Sequence, residues 1–308
     1  MMTEALRIYT HPSCLAHDPG AGHPEAAFRL EAVLNAAHAL GCQTYSAPLA
    51  TPAQLARAHS IELLEHLFAH ENVGVTTRID ADTVLGPHSL NAALAAAGAG
   101  VAGVQDVLNA TARRVFCAVR PPGHHATRTQ AMGFCLLNSI AVAAYAALDA
   151  GIQRVAIVDF DVHHGNGTQD IFWHEPRVQY LSSHQAPLYP GTGAAHEGGA
   201  YGNIVNAPLP RMASSEMFRA AYTQKILPAL AAFAPELILI SAGFDGHALD
   251  PLGGLNVHED DFAWLTRALC VQANRSAQGR VVSMLEGGYS ATALALCTRA
   301  HLVALLDS

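Results

Sequence analysis

The 308-residue sequence is 51% hydrophobic and only 14% charged, with a formal net charge of −8. That balance argues against the basic footprint of a nucleic-acid binder, allows a cationic substrate, and contains no apolar run near the roughly 18 residues a membrane span needs. The opening MMTEALRIYT has no basic stretch followed by an apolar one, so no secretory signal is expected, and six scattered cysteines without a CxxC pair read as small buried residues of a reducing cytoplasm.

In chain order, a short strand at 7–9 leads into a loop rich in His, Pro and Gly at 10–24, then a helix at 25–40 that Gly41 closes. An amphipathic helix is expected at 59–70 and an alanine- and glycine-rich one, suited to close helix packing, at 89–110. From there strands and helices alternate: a strand at 115–119, a helix at 137–150, a strand at 155–158 and a helix from about Thr168. A strand at 178–182 precedes a glycine-rich loop at 187–202. A helix at 214–233, a strand at 237–241, a helix at 259–273, a strand at 281–284 and a last helix from Ala291 complete the chain. The strands are continuously hydrophobic and no repeat or linker interrupts them, which predicts one α/β domain over residues 1–308 with a mainly parallel sheet.

The stretch VAIVDFDVHHGNGTQD at 155–170 stands at the centre of this pattern. A β-branched run suited to a buried strand is followed by Asp159, Asp161 and His163 at spacings of two, which a pleated strand would point to one side. Such a trio is either a metal-ligand set or a buried hydrogen-bond pair. Four other strands end in residues capable of chemistry. RPPGHHA carries His124 and His125; Ser183 and His184 precede LYPGTG; AGFDGH carries Asp245; LEGGY carries Glu286 and Tyr289. Parallel strands place all these ends along one edge, where open α/β folds bind ligands.

Asp161, His163 and Asp245 would give a metal two oxygens and one nitrogen and leave a position open, with Zn²⁺ the first choice and Fe²⁺ or Co²⁺ compatible. His124 and His125, after a rigid Pro-Pro-Gly, offer a general base and a second, electrostatic imidazole. Tyr289 on its Gly-Gly turn offers a hydroxyl to an oxyanion, or else caps a strand end as an amphipathic residue. This is equipment for metal-assisted hydrolysis of an amide.

RPPGHHA, MGFCLLN, VDFDVHHGNGT, SAGFDGHALDPLGG and LEGGY, in this order, resemble the zinc-dependent histone deacetylase family, in particular its class II-like bacterial members. The resemblance spans His23-Pro24-Glu25 and Arg29 through Tyr289. It implies an arginase-like three-layer fold around a parallel sheet of about eight strands, and a cytoplasmic hydrolase. It also implies zinc at Asp161, His163 and Asp245, with His125 as general base and acid and His124 as electrostatic partner. Asp159 matches the carboxylate behind His124, Asn166 stands where many members carry a second such carboxylate, and Tyr289 matches the catalytic tyrosine. Gly133 and Phe134 match one wall of an acyl-lysine tunnel and Tyr189 the opposite wall; a structural K⁺ is implied at Asp159, Asp161, His163, Ser182 and Ser183.

The chain also departs from its relatives. HPEAAFRL lacks the fuller Pro-Glu-Arg signature, Tyr189 replaces a Phe, and the length leaves no room for the long loops with which polyamine deacetylases close their sites. Asp82 is a candidate rim anchor for substrate backbone or a cationic amine, or a helix N-terminal carboxylate. Three functions are therefore weighed: a lysine deacylase acting on proteins or peptides, an acetylpolyamine or other small-molecule amidohydrolase, and a silent acyl-lysine binder. A binder needs neither base nor oxyanion donor, so the complete residue set argues against the third. Oligomeric state is not readable from the sequence.

Overall fold

The computed structural model describes residues 3–70 and 76–308. Its strands are β1 (Glu4–Thr10), β2 (Thr44–Ser46), β3 (Thr77–Arg78), β4 (Val84–Leu85), β5 (Ala112–Cys117), β6 (Val155–Asp159), β7 (Val178–Gln185), β8 (Ile204–Leu209), β9 (Leu237–Ala242) and β10 (Val281–Leu285). Eight of them form one sheet in the order β2-β1-β5-β10-β9-β6-β7-β8, and every neighbouring pair is parallel. β3 and β4 make a separate antiparallel pair. Four adjacent strands, β6, β7, β9 and β10, read VAIVD, VQYLSSHQ, LILISA and VVSML and are buried at every residue, because helices cover both faces of the sheet. One helix layer includes Ser89–Leu108, whose small residues let it lie close on β5 and β10 and against Ser139–Asp149. The other includes Glu259–Ser276 and Ala291–Asp307, which pack on each other.

The expected helices and central strands are present, with ends shifted by a few residues. The edges of the fold differ from expectation. The loop at 10–24 contains a short helix, Pro12–Ala16, with Pro12 at its first position and His11 accepting the Ser13 amide. A further helix, Pro52–Ala58, starts on a Thr51/Gln54 capping box. β2 is three residues long, and β8 contains Asn206 and Pro208, which an edge strand tolerates. The helix expected at 214–233 is interrupted by a π-helical turn at Tyr222–Ile226, between Ser215–Ala221 and Leu227–Phe233. Among the described residues, no helix is long and apolar enough to cross a membrane.

Candidate active site

The C-terminal ends of β5, β10, β9, β6 and β7 are consecutive in the sheet, so the five motif-bearing loops rise from one edge. Asp161, His163 and Asp245 meet there, each offering a ligand atom within 4.8 Å of the others. Nδ1 of His163 lies 3.0 Å from Asp161 Oδ1 and 3.2 Å from Asp245 Oδ2. The expectation that a pleat aligns Asp159, Asp161 and His163 is corrected: β6 ends at Asp159, and residues 161–163 form a bend. Convergence comes from cross-links between loops. The Gly287 amide donates to Asp161 Oδ2 at 2.8 Å, and the Val162 amide to Asp245 Oδ1 at 2.8 Å. A Cβ on Gly287 would lie 2.0 Å from Asp245 Oδ2, so only glycine admits this approach.

The electrostatics of the trio fit a cation. Burial and then the charge of Asp161 raise the Asp245 carboxyl to about 7, while His124 and His163 overcome the burial of Asp161 and hold it well below the usual carboxylate range. Burial would lower the pKa of His163, but hydrogen bonds to Asp161 and Asp245 raise it to about 10. Two buried carboxylates thus draw a positive charge to the point where a metal would sit, and the two-oxygen, one-nitrogen donor set suits a divalent ion.

Asp159 stands one layer behind. Its Oδ2 meets His124 Nδ1 at 3.0 Å and accepts from Tyr180 at 2.9 Å. Burial disfavours the His124 cation, but Asp159 and then Asp161 raise its pKa to about 10. Next to it, with ring centroids 4.0 Å apart, His125 is driven the other way. Burial first, then positive charge at His124 and His163, hold its pKa well below the usual histidine value. Two adjacent imidazoles are therefore split into a cation and a neutral ring, the division of labour that acid–base sites use. His125 Nδ1 lies 2.8 Å from Asn166 Oδ1, which can only accept; Nδ1 carries the proton and Nε2 keeps its lone pair.

Above the trio lies a cavity of about 250 Å³, lined by Phe134, Leu188, Tyr189 and Leu252, with His125, His163 and Tyr289 at its inner end. Phe134 and Tyr189 both line it, and Tyr189 meets the His125 ring edge-on at 5.1 Å. Gly133 has φ +58, and a Cβ there would lie 2.5 Å from the His125 ring. Asp82 also lines the cavity. It precedes the helix Ser89–Leu108 by seven residues, whose first turn contains no acidic residue, so its reading as a helix N-terminal carboxylate is corrected. Burial, opposed by Arg29, keeps the buried Tyr289 hydroxyl protonated by raising its pKa well above the usual value. Ser182 lies beside Asp159 in register, whereas Ser183 faces away and bonds Tyr222 at 2.7 Å.

Sequence reasoning missed the residues that hold these groups. Asp250 accepts the Tyr289 and Ser290 amides at 2.6 and 3.2 Å; it lies in the quoted DPLGG segment, but that segment carried no signal of this role. Glu286, singled out only as a polar strand-end residue, accepts the amides of Gly123 and His124 and the Ser241 hydroxyl. His23 packs edge-on against Phe134 at 4.7 Å and contacts the Asp82 carbonyl at 3.0 Å. A second cluster, His247, His258 and Glu259, also brings three donors together. There His247 Nδ1 accepts the Leu249 amide, so Nε2 carries the proton and donates to Glu259, which makes the pair a hydrogen bond.

The histone deacetylase domain family matches residues 23–305. The histone deacetylase-like amidohydrolase of Pseudomonas aeruginosa is 38% identical, over 90% of this chain and 75% of its own length. A probable deacetylase of Archaeoglobus fulgidus is 36% identical, over 92% of this chain and 81% of its own. The crystal structure of the HDA15 HD domain superposes with a TM-score of 0.93 at 34% identity, covering 99% of this chain and 88% of that one.

Proposed function

Because the chain belongs to the histone deacetylase family and is a hydrolase acting on amide bonds, we propose that it removes acetyl or other acyl groups from the ε-amine of lysine in proteins or peptides. The observation that carries this reading is the cavity over the trio. Phe134, Leu188, Tyr189 and Leu252 offer an apolar sleeve for a methylene stem, and one carboxylate, Asp82, is available to accept a backbone amide. A polyamine carries further ammonium groups, and each would lose hydration against those apolar walls. The proximity of Asp80 to Asp82 favours a second reading, an acetylated polyamine or other small amide, because paired carboxylates suit an amine. Side-by-side kcat/KM on an acetyl-lysine peptide, a longer acyl-lysine peptide and acetylspermidine separates the two. The peptide should be preferred at least about tenfold, roughly 1.4 kcal/mol in transition-state binding, and a preference for acetylspermidine would replace the first reading with the second.

In this reading Asp161, His163 through Nδ1 and Asp245 hold a divalent ion, with Zn²⁺ the first choice and Fe²⁺ or Co²⁺ compatible with the same donors. Such an ion, when bound, supplies Lewis acidity toward the amide carbonyl and activates a water at neutral pH. The chain's own residues do the rest. His125, neutral and with Nε2 free, takes a proton from the attacking water and returns it to the departing amine nitrogen. His124, kept cationic by Asp159, places a positive charge beside that exchange. Tyr289 donates its hydroxyl to the oxygen where negative charge develops, and Asp250 fixes its backbone. Phe134 and Tyr189 orient the acyl-lysine stem and exclude water. A monovalent cation, K⁺ by resemblance, is assigned to Asp159, Asp161, His163, Ser182 and Ser183. The register of Asp159 beside Ser182 supports this; Ser183, its hydroxyl engaged by Tyr222, would serve through its carbonyl. Residues 1–308 are taken as one catalytic domain.

A further inference from the structure

One carboxylate outside the reacting groups ties the two halves of the site together. Glu25 is buried beneath the site and ringed by Arg29, Arg120 and His17, all equally buried. Its Oε1 accepts from Arg29 Nη1 at 2.8 Å and from Arg120 Nε at 2.5 Å; its Oε2 accepts from Arg120 Nη2 at 2.7 Å and lies 3.2 Å from His17 Nε2. The two arginines lead to different places. Arg120 opens the Pro121-Pro122-Gly123 loop that delivers His124 and His125, and its remaining donors are spent on the carbonyls of Cys14, His17 and Glu25. Arg29 donates to the carbonyls of Glu286 and Gly288, and its guanidinium lies 4.7 Å from the centre of the Tyr289 ring. The tyrosine's loop and the base's loop thus hang from the two sides of one carboxylate.

We propose that Glu25 is a positioning residue that sets Tyr289 relative to His125, acting through Arg29 on one side and Arg120 on the other. The proposal rests on the roles given above to Tyr289 and His125. Charge is central to it. With a carboxylate the two guanidiniums share a fixed bidentate acceptor; with a neutral acceptor they repel each other, and Arg29 is free to shift the Gly288 carbonyl and the ring above it. Although burial opposes ionisation, His17, Arg120 and Arg29 hold the Glu25 carboxyl well below the usual carboxylate range, so the anchor stays charged wherever the enzyme works. Desolvation largely offsets the attraction within buried ion networks, so the consequence of this one lies more in geometry than in net stability.

The test is a double-mutant cycle on metal-loaded full-length protein, with Glu25→Gln, Tyr289→Phe and their combination. Glu25→Gln alone should lower kcat by about 10- to 100-fold, the usual effect of a displacement near 1 Å at a reacting group, with KM changed by less than about threefold. In the Tyr289→Phe background the same change should cost less than about threefold, because the hydroxyl it positions is gone. Equal factors in both backgrounds would overturn the proposal. Arg29→Lys keeps the charge but breaks the fork that joins Glu25 to the Glu286 and Gly288 carbonyls, and it should show the same background-dependent loss; it decides the matter if Glu25→Gln does not fold. Failure of both variants to fold would also overturn the proposal, by making the cluster a stability element. Tyr289→Phe alone tests the underlying assignment. A drop under tenfold there sinks that assignment, whereas a large drop there combined with equal Glu25 factors sinks only the present inference.

Discussion

Asn166 is the place where a charge can be added beside His125, the proposed base, with little change in side-chain shape. Its Oδ1 lies 2.8 Å from His125 Nδ1, and Asn166→Asp keeps that acceptor while replacing the amide nitrogen, which faces Met132 Sδ at 3.4 Å, with a second oxygen. A carboxylate there favours the imidazolium and raises the pKa of His125. Opposite charges in contact shift a pKa by roughly one to three pH units, and the lower end applies here. Asn166 is only half-buried and opens onto a recess of about 280 Å³ lined by Thr127, Gln169, Asp170, Trp173 and Thr192, so solvent screens the new charge. Wild-type His125 is held well below the ordinary histidine value, and it must be neutral to accept a proton. The acid limb of kcat/KM should therefore move to higher pH in the variant, by about one unit, or roughly 1.4 kcal/mol. Parallel pH profiles on one substrate, with metal content measured at every pH, provide the assay. An acid limb that stays in place or moves to lower pH would refute either the Asn166 contact or the assignment of His125 as base.

Three further outcomes are expected. A strong chelator should abolish amide hydrolysis and Zn²⁺ or Co²⁺ should restore it; full turnover by protein shown to be metal-free would contradict the role of Asp161, His163 and Asp245. Tyr289→Phe should lower kcat by about 10²- to 10³-fold with metal content unchanged, as loss of one oxyanion donor does, and steady-state turnover reads this directly. Asp82→Asn should raise KM for an acetyl-lysine peptide by about 3- to 10-fold with kcat nearly constant, because it removes a contact made equally in the ground and transition states; an unchanged KM would remove Asp82 from substrate binding.

The central strands were legible because strands buried on both faces are largely apolar, as Val155–Val158 and Leu237–Ile240 are, with polar residues such as Asp159 only where the strand ends at the site. The edge strands were not. Thr44–Ser46 is too short to show a period, and Asn206 and Pro208 disguise Ile204–Leu209. At the site, the residue types and their order along the chain pointed to the sheet edge where the structure brings these side chains together, while the geometric reason given for one trio was wrong. Asp159 belongs to β6 and supports His124, whereas Asp161 and His163 lie in a bend that the Gly287 and Val162 amides hold in shape. Contacts of that kind join segments 83 and 126 residues apart and leave no local pattern to read. The same holds for Glu25, whose partner Arg120 is 95 residues away, and for Asp250, which is 39 residues from the amide it clamps.

The most direct measurement is acetate release from an acetyl-lysine peptide by Zn²⁺-loaded protein, compared with Asp245→Asn carried through the same loading. The wild-type chain should release acetate stoichiometrically with free lysine amine, and the variant should lose metal and at least about 10³-fold in kcat/KM, since activation of both the carbonyl and the water is removed together. Undiminished release by the variant, or no release by a wild-type protein that retains its metal, would contradict the account.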